Sequence, residues 1–229
     1  MERAFSLSVS VPTPFRIPHR VLALIGVITF ILACCLAGCT SNAVDSDSSA
    51  TDGNATGEKT LRVAMELAYP PFETKDDAGN PEGLAVDFIR DFGAAYGYDV
   101  QIENTAWDGL IPSLQSDKAD LVISSMTITD ERMENMFFAK PYIANQQIII
   151  VPAASGITSV AQLEGKVIGL QKGSSSLEAL TANPISEKVK EIVEYPDNVA
   201  AYMDLQAGRI DVFVVDSVVG RYIISQDQK

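Results

Sequence analysis

The chain has a single histidine, His19, and three cysteines, Cys34, Cys35 and Cys39, and none of the four lies beyond residue 39. Everything after that point is without imidazole and thiol. A Ser-His-Asp or Cys-His mechanism is therefore excluded there, and so are a disulfide framework and a zinc site that uses imidazole. No cofactor or metal is expected. Positive charge is scarce as well. Three of the 17 basic residues (Arg3, Arg16, Arg20) and one of the 30 acidic ones (Glu2) precede Cys39, which leaves 14 basic and 29 acidic groups, a net of −15. So acidic a body is repelled by nucleic acid and by anionic lipid headgroups, and nucleic acid is excluded as a partner. A solvated, soluble surface is the simplest account of the charge. The 229 residues, 47% of them hydrophobic, suffice for one large domain or two small ones.

The N-terminus looks like an address. Arg16, His19 and Arg20 form a basic flank, residues 21–36 are apolar and uncharged, and Leu36-Ala37-Gly38-Cys39 follows. Basic region, apolar core and small residues before a cut make a secretory signal. The alternative is a retained transmembrane helix, since about 18 apolar residues can span a bilayer. The last four residues resemble a bacterial lipoprotein processing box. That resemblance implies cleavage before Cys39, lipidation of its sulfur, and a location on the outer face of the cell membrane. Residues 1–38 are then a signal peptide. Residues 39–59 are small and polar, too poor in apolar surface to fold alone, and fit a flexible tether.

From residue 60 short strands alternate with helices. Residues 61–65 read as a strand, broken by Pro70-Pro71. Residues 84–96 carry Phe88, Ile89, Phe92 and Tyr96 at helical spacing and stop at Gly97. Strands at 100–103 and 119–124 flank a short helix at 110–114. After an extended apolar run, Gln146 through Val151, the rhythm restarts: strand 166–170, helix from about 176, strand 191–194, helix 198–207 and strand 210–215. Strands separated by helices imply parallel α/β units. Two such series suggest two lobes with a cleft: lobe 1 at 60–146, a hinge crossover at 147–152, and lobe 2 at 153–229.

Four motifs stand in order: Ala64-Met65-Glu66-Leu67-Ala68-Tyr69-Pro70-Pro71-Phe72, then Gly83-Leu84-Ala85-Val86-Asp87, then Trp107-Asp108-Gly109-Leu110-Ile111-Pro112-Ser113-Leu114, then Thr127-Ile128-Thr129-Asp130-Glu131-Arg132. Together they resemble extracellular solute-binding proteins of family 3, the polar-amino-acid receptors of ABC importers. The resemblance implies a two-lobed α/β fold of the periplasmic-binding-protein type II class. It also implies a monomer that captures an amino acid and serves an ABC permease.

The same resemblance assigns roles. Arg132 would take the ligand carboxylate, for which its planar fork is suited; otherwise it is a surface residue in the first turn of a helix. Ser175, in the loop Gly173-Ser174-Ser175-Ser176, would add a donor, unless the loop only caps a helix. Asp216, at the C-terminal end of a strand, would hold the ammonium group, or cap the following helix, or both. Ser125 and Thr127 would supply carbonyl and hydroxyl contacts, and Gln171 a polar lining. Tyr69 and Trp107 would sandwich the ligand side chain, with core packing as the alternative. Glu66 would meet the distal end of that side chain and favour a cation.

Two rival readings share the fold: a dehydratase of the prephenate or arogenate type, and the sensing module of a receptor. The resemblance also implies several tens of further residues beyond Lys229 that return to lobe 1. Lobe 2 is accordingly expected to be incomplete and to leave a sheet edge unpaired.

Overall fold

The computed structural model describes residues 2–7 and 59–227. The apolar run before Cys39, Cys39 itself and most of the tether lie outside the described residues. Ten strands and six α-helices occur among those described. The strands are β1 (Glu2–Leu7), β2 (Lys59–Met65), β3 (Thr74–Lys75), β4 (Pro81–Glu82), β5 (Tyr98–Asn104), β6 (Leu121–Val122), β7 (Gln147–Pro152), β8 (Val167–Gln171), β9 (Glu191–Tyr195) and β10 (Val212–Asp216). The helices are α1 (Leu84–Tyr96), α2 (Leu110–Gln115), α3 (Asp130–Met133), α4 (Ser175–Thr181), α5 (Asn198–Gln206) and α6 (Ser217–Asp227). No helix among the described residues is long and apolar enough to cross a membrane.

Two sheets carry the architecture. The first is parallel, in the order β5-β2-β6, with α1 packed on β5. The second has the order β1-β7-β10-β8-β9. Its strands β10, β8 and β9 run parallel, and β7 is antiparallel to both β10 and β1. The outer flank of β7 is paired by Glu2–Leu7, a stretch within the expected signal peptide, and β9 forms the opposite edge. The apolar run of β7 follows from its central place. Ile148 and Ile150 pack with Phe213 and Val215 on one face, and Ile149 and Val151 pack with Val212 and Val214 on the other. A strand covered on both sides reads as continuous hydrophobe, because its period of two serves two cores at once. The first of these cores also takes in Val63, Met65 and Ile89 from the first sheet and its helix, and Met1–Val9 together with Glu58–Lys229 form one compact unit.

Helix α1 has the predicted length, but of the apolar residues noted at helical spacing only Ile89 faces inward. Ala85, Val86, Ile89 and Gly93 are buried, whereas Phe88, Phe92 and Tyr96 are exposed. The cause is close approach to β5: a Cβ on Gly93 would stand 2.3 Å from Val100 Cγ2. The bulky aromatics rotate outward, where Phe92 packs on Tyr96 at 4.8 Å and Phe88 stacks on Tyr142 at 6.1 Å. Gly83, at the start of α1, has φ +121°, and a Cβ there would sit 2.4 Å from the Phe72 carbonyl oxygen. That contact seats the motif containing Phe72 against the helix N-terminus. The expected strand at 119–124 shortens to β6, because the chain peels away at Ser124 and Ser125.

Candidate functional site

The C-terminal ends of β2, β6, β8 and β10 converge, as the crevice rule for open α/β sheets requires. A cavity there is lined by Tyr69, Trp107, Ser125, Thr127, Gln171 and Ser175, with Asp216 and Asn198 beside them. These residues come from both halves of the chain. The cavity offers about 10 Å³ to the centre of a water-sized sphere, room for one water molecule. Each polar group in the wall is held by another. Hydrogen bonds of Tyr69 to Asp216, of Thr127 with Ser175 and of Arg132 to Gly173 join the two halves of the chain across this wall.

Tyr69 donates its hydroxyl to Asp216 Oδ2, joining the first half to the second, and Gln147 Nε2 donates to Asp216 Oδ1 at 2.5 Å. Burial, then the field of Asp216, raises the Tyr69 hydroxyl well above its ordinary range. Gln147 also donates to Ser175 Oγ at 3.1 Å and accepts from Ser176 Oγ at 2.6 Å, while Thr127 Oγ1 and Ser175 Oγ lie 3.1 Å apart. The Asp216 carboxylate turns into the cavity, where it accepts from Tyr69 and Gln147.

Arg132 sits in α3, whose N-cap Thr129 accepts the Arg132 backbone N–H. Its fork donates to two carbonyls, Thr127 O at 2.8 Å and Gly173 O at 3.1 Å, and its guanidinium lies 5.3 Å from the Trp107 ring centre. That is a cation–π stack. Trp107 Nε1 shares the Gly173 carbonyl at 3.3 Å, so Trp107 lines the cleft while also packing on the small core of Ala64, Leu110 and Ala119. Burial lowers the affinity of Arg132 for its proton, and the fields of Glu178 and Asp216 oppose this. Gly173, with φ +62°, turns the chain into α4, where Ser174 caps the Leu177 N–H. The capping belongs to Ser174, which leaves Ser175 free to face the cavity.

Glu66 lies behind Gln171. Gln171 Nε2 donates to both its oxygens, at 2.9 and 3.0 Å, and Asn198 Nδ2 fixes Gln171 Oε1 at 2.9 Å. Burial pushes the Glu66 carboxyl up to about 7, against the lowering effect of the Gln171 amide, and the field of Asp197 adds to the rise. Gln171 thus stands between Glu66 and the cavity, whose wall includes Gln171 but not Glu66.

The nine residues proposed from sequence are thus brought together. Four functional neighbours escaped that reading: Glu73, Gln147, Asn198 and Tyr142. Glu73 follows Phe72 directly at the end of the first motif. It is fully buried, and its Oε1 makes no hydrogen bond. Its Oε2 accepts from Ser125 Oγ at 3.2 Å, and Ser125 Oγ accepts from Tyr142 OH at 3.3 Å. Burial, together with the field of Glu66, pushes the Glu73 carboxyl up to about 8. Ser125 itself has φ +49°, an uncommon backbone state outside glycine that tends to cluster at functional sites. Among the described residues there is no group of three or more His, Cys, Asp or Glu that could hold a metal ion.

Residues 61–193 match the family described as bacterial extracellular solute-binding proteins, family 3. The L-cystine-binding protein TcyJ of Escherichia coli K12 is 33% identical over 169 residues, which cover 73% of this chain and 62% of that protein. The L-arginine-binding protein of Pseudomonas aeruginosa is 37% identical over 166 residues, 70% of this chain and 62% of that one. Among solved structures, an ancestral arginine-binding protein bound to arginine superposes with a TM-score of 0.70 at 34% identity, covering 74% of this chain and 75% of that one. The match thus spans 62% of the length of these two curated relatives. The chain belongs to the bacterial extracellular solute-binding proteins of family 3, and its two sheets form a partial two-lobed α/β fold of that class.

Proposed function

We propose that this family 3 member is a receptor for a polar amino acid, with preference for a cationic side chain, that is anchored outside the membrane through lipid on Cys39 and delivers its ligand to an ABC permease. The observation that carries the reading is the meeting of Arg132, Asp216, Tyr69 and Trp107 at one closable cleft. A free amino acid brings a carboxylate, an ammonium and a side chain into a dry site, and each charge needs a partner there. Arg132 takes the carboxylate, exchanging its two carbonyl acceptors for a charged one. Asp216 takes the ammonium in place of Tyr69 and Gln147. Ser125, Thr127 and Ser175 complete the polar contacts, and the rings of Tyr69 and Trp107 flank the side chain. Glu66, behind Gln171, supplies the negative field that favours a cation. Ligand bridging both lobes stabilises their closed form by the contacts that exist only on closure.

Binding by titration calorimetry across arginine, lysine, histidine, glutamine and glutamate tests the reading. Arginine or lysine binds most tightly, and glutamate binds least. Arg132→Ala weakens binding by two orders of magnitude or more, in line with roughly 2–5 kcal/mol for truncating one partner of a buried charge pair. Circular dichroism shows its fold unchanged. Unaltered affinity would refute the carboxylate role.

A dehydratase reading draws on one observation, the two carboxyls raised to about 7 and about 8, since a neutral acid near neutral pH can protonate a leaving hydroxyl. Turnover of prephenate or arogenate by the chain is the discriminating assay, and none is expected.

A further inference from the structure

Two neutral amides, Gln171 and Asn198, stand in the cavity wall and are not needed for a ligand's carboxylate or ammonium. Both are buried, at 2% and 4% exposure. Gln171 ends β8, and Asn198 opens α5. Asp197 caps that helix, accepting from the Ala200 N–H at 2.8 Å, so the Asn198 side chain is not spent on its own backbone. An amide has two unlike ends, and its neighbours decide which end faces where. Gln171 Nε2 reaches both oxygens of Glu66, at 2.9 and 3.0 Å, and the Pro196 carbonyl at 3.2 Å. A backbone carbonyl can only accept, so the nitrogen belongs at this end and its N–H groups are committed there. The Gln171 oxygen is thereby turned toward Asn198. An oxygen calls for a donor, and Asn198 presents Nδ2 to it at 2.9 Å. The direction set at Glu66 and Pro196 is passed along both amides and leaves Asn198 Oδ1 at the end of the chain. That oxygen accepts no hydrogen bond among the described residues. Nor is it sealed in, since Glu73 Oε1 is the one sealed side-chain atom without a partner among those residues. Asn198 borders the cavity, so the cavity is where a partner reaches it. A buried carbonyl oxygen without a donor is costly, and a donor carried by a ligand relieves that cost.

We propose that Asn198 is a specificity-determining residue whose Oδ1 accepts a hydrogen bond from a nitrogen at the distal end of the ligand's side chain. Gln171 is the positioning residue that holds the Asn198 amide in this sense, with Glu66 and Pro196 behind it. The ligand class that fits is an α-amino acid whose side chain ends in an N–H donor: a guanidinium, an ammonium, a urea or an amide. An apolar side chain leaves Oδ1 without a bond, and a carboxylate brings oxygen to oxygen. Side-chain recognition is thereby divided. The field of Glu66 weighs charge, and Asn198 detects a donor whether or not the donor is charged.

This inference rests on the amino-acid-receptor reading, and one set of titrations keeps the two apart. Arginine, citrulline and norleucine are titrated calorimetrically into the full chain, with weak ligands read by displacement of a tight one. Citrulline keeps the arginine shape and its terminal N–H groups without the charge, and norleucine has an unbranched side chain without a donor. Wild type is expected to bind arginine and citrulline each roughly tenfold or more tightly than norleucine. Asn198→Leu, similar in size but without the oxygen, is expected to lower the affinity for arginine and for citrulline by roughly tenfold each, and that for norleucine by at most about twofold. A merely structural role, in which Asn198 only props Gln171 or α5, lowers the affinity for all three ligands by the same factor. Norleucine bound as tightly as citrulline by wild type, a comparison that needs no variant to fold, overturns the proposal. An equal loss for all three ligands in Asn198→Leu, or no loss, overturns it as well. Each of these outcomes leaves the receptor reading standing. Failure of wild type to bind any of the three overturns the receptor reading and this proposal with it.

Discussion

Acidic side chains occupy two contrasting settings in this protein. At the surface, Asp120 accepts from the Arg62 fork at 2.6 and 3.0 Å and from the Arg62 backbone N–H, and these bonds hold its carboxyl down at about 2. At the lobe interface, Glu66 and Glu73 have amides and hydroxyls for company and no cation, and burial holds them at about 7 and about 8. The surface pair is well formed yet contributes little, because water screens exposed charges and would solvate either partner alone. In the interior, Glu73 leaves one oxygen without a hydrogen bond and neither acid has a counter-ion, with large consequences because no water is there to replace one. Geometry alone would rank the two the other way round. The comparison teaches that the less satisfied group is the one poised to respond to a ligand.

The largest effect that sharpens this contrast is on stability against pH. A carboxyl whose folded value is raised favours the folded state fully below its unfolded value, near 4.5, and loses that contribution as pH rises through about 7 to 8. For Glu73 alone the loss amounts to a few kcal/mol. Melting temperature should therefore fall between pH 5 and pH 8, and Glu73→Gln should recover roughly 3–10 °C of it at pH 8. Asp120 runs the opposite way: its contribution is present above its unfolded value and disappears only as pH falls through about 2, well outside that window. A flat melting profile between pH 5 and pH 8 would erase the distinction.

A smaller effect concerns selectivity. Glu66→Gln should reduce the arginine-to-glutamine affinity ratio about tenfold, equivalent to about 1.4 kcal/mol, because it removes the negative field and keeps the hydrogen-bonding shape. Parallel titrations of the two ligands check this. The smallest effect belongs to the surface: Asp120→Asn should move the melting temperature by no more than about 2 °C, less again in high salt. A larger shift would show that the exposed pair matters more than its setting implies.

Much of the scaffold was legible because it depends on period and punctuation. Helix α1 matches its predicted range, since Gly83 and Gly97 bracket it, and β8, β9 and β10 fall within a residue or two of expectation. What could not be read was orientation. The stripe of Phe88, Phe92 and Tyr96 looks like a core face until the Gly93 contact with Val100 decides which side of the helix approaches β5. At the site, Arg132, Tyr69 and Trp107 stood out as motif positions and Asp216 as the end of a strand. Gln147 was not, because it opens an apolar run whose other members serve the two cores. Glu73 was not, because an acid beyond a proline-rich turn ordinarily faces water. Its burial depends on the Ser125 turn more than fifty residues away.

The cavity of about 10 Å³ carries one more consequence. Tyr69 already occupies an oxygen of Asp216, and Gly173 and Thr127 already occupy the fork of Arg132. Each of these groups has a resident partner that a guest would have to displace. A guest then gains the difference between its own bonds and those it displaces, and loosening the resident contacts is a route to tighter binding that adds no contact to the ligand.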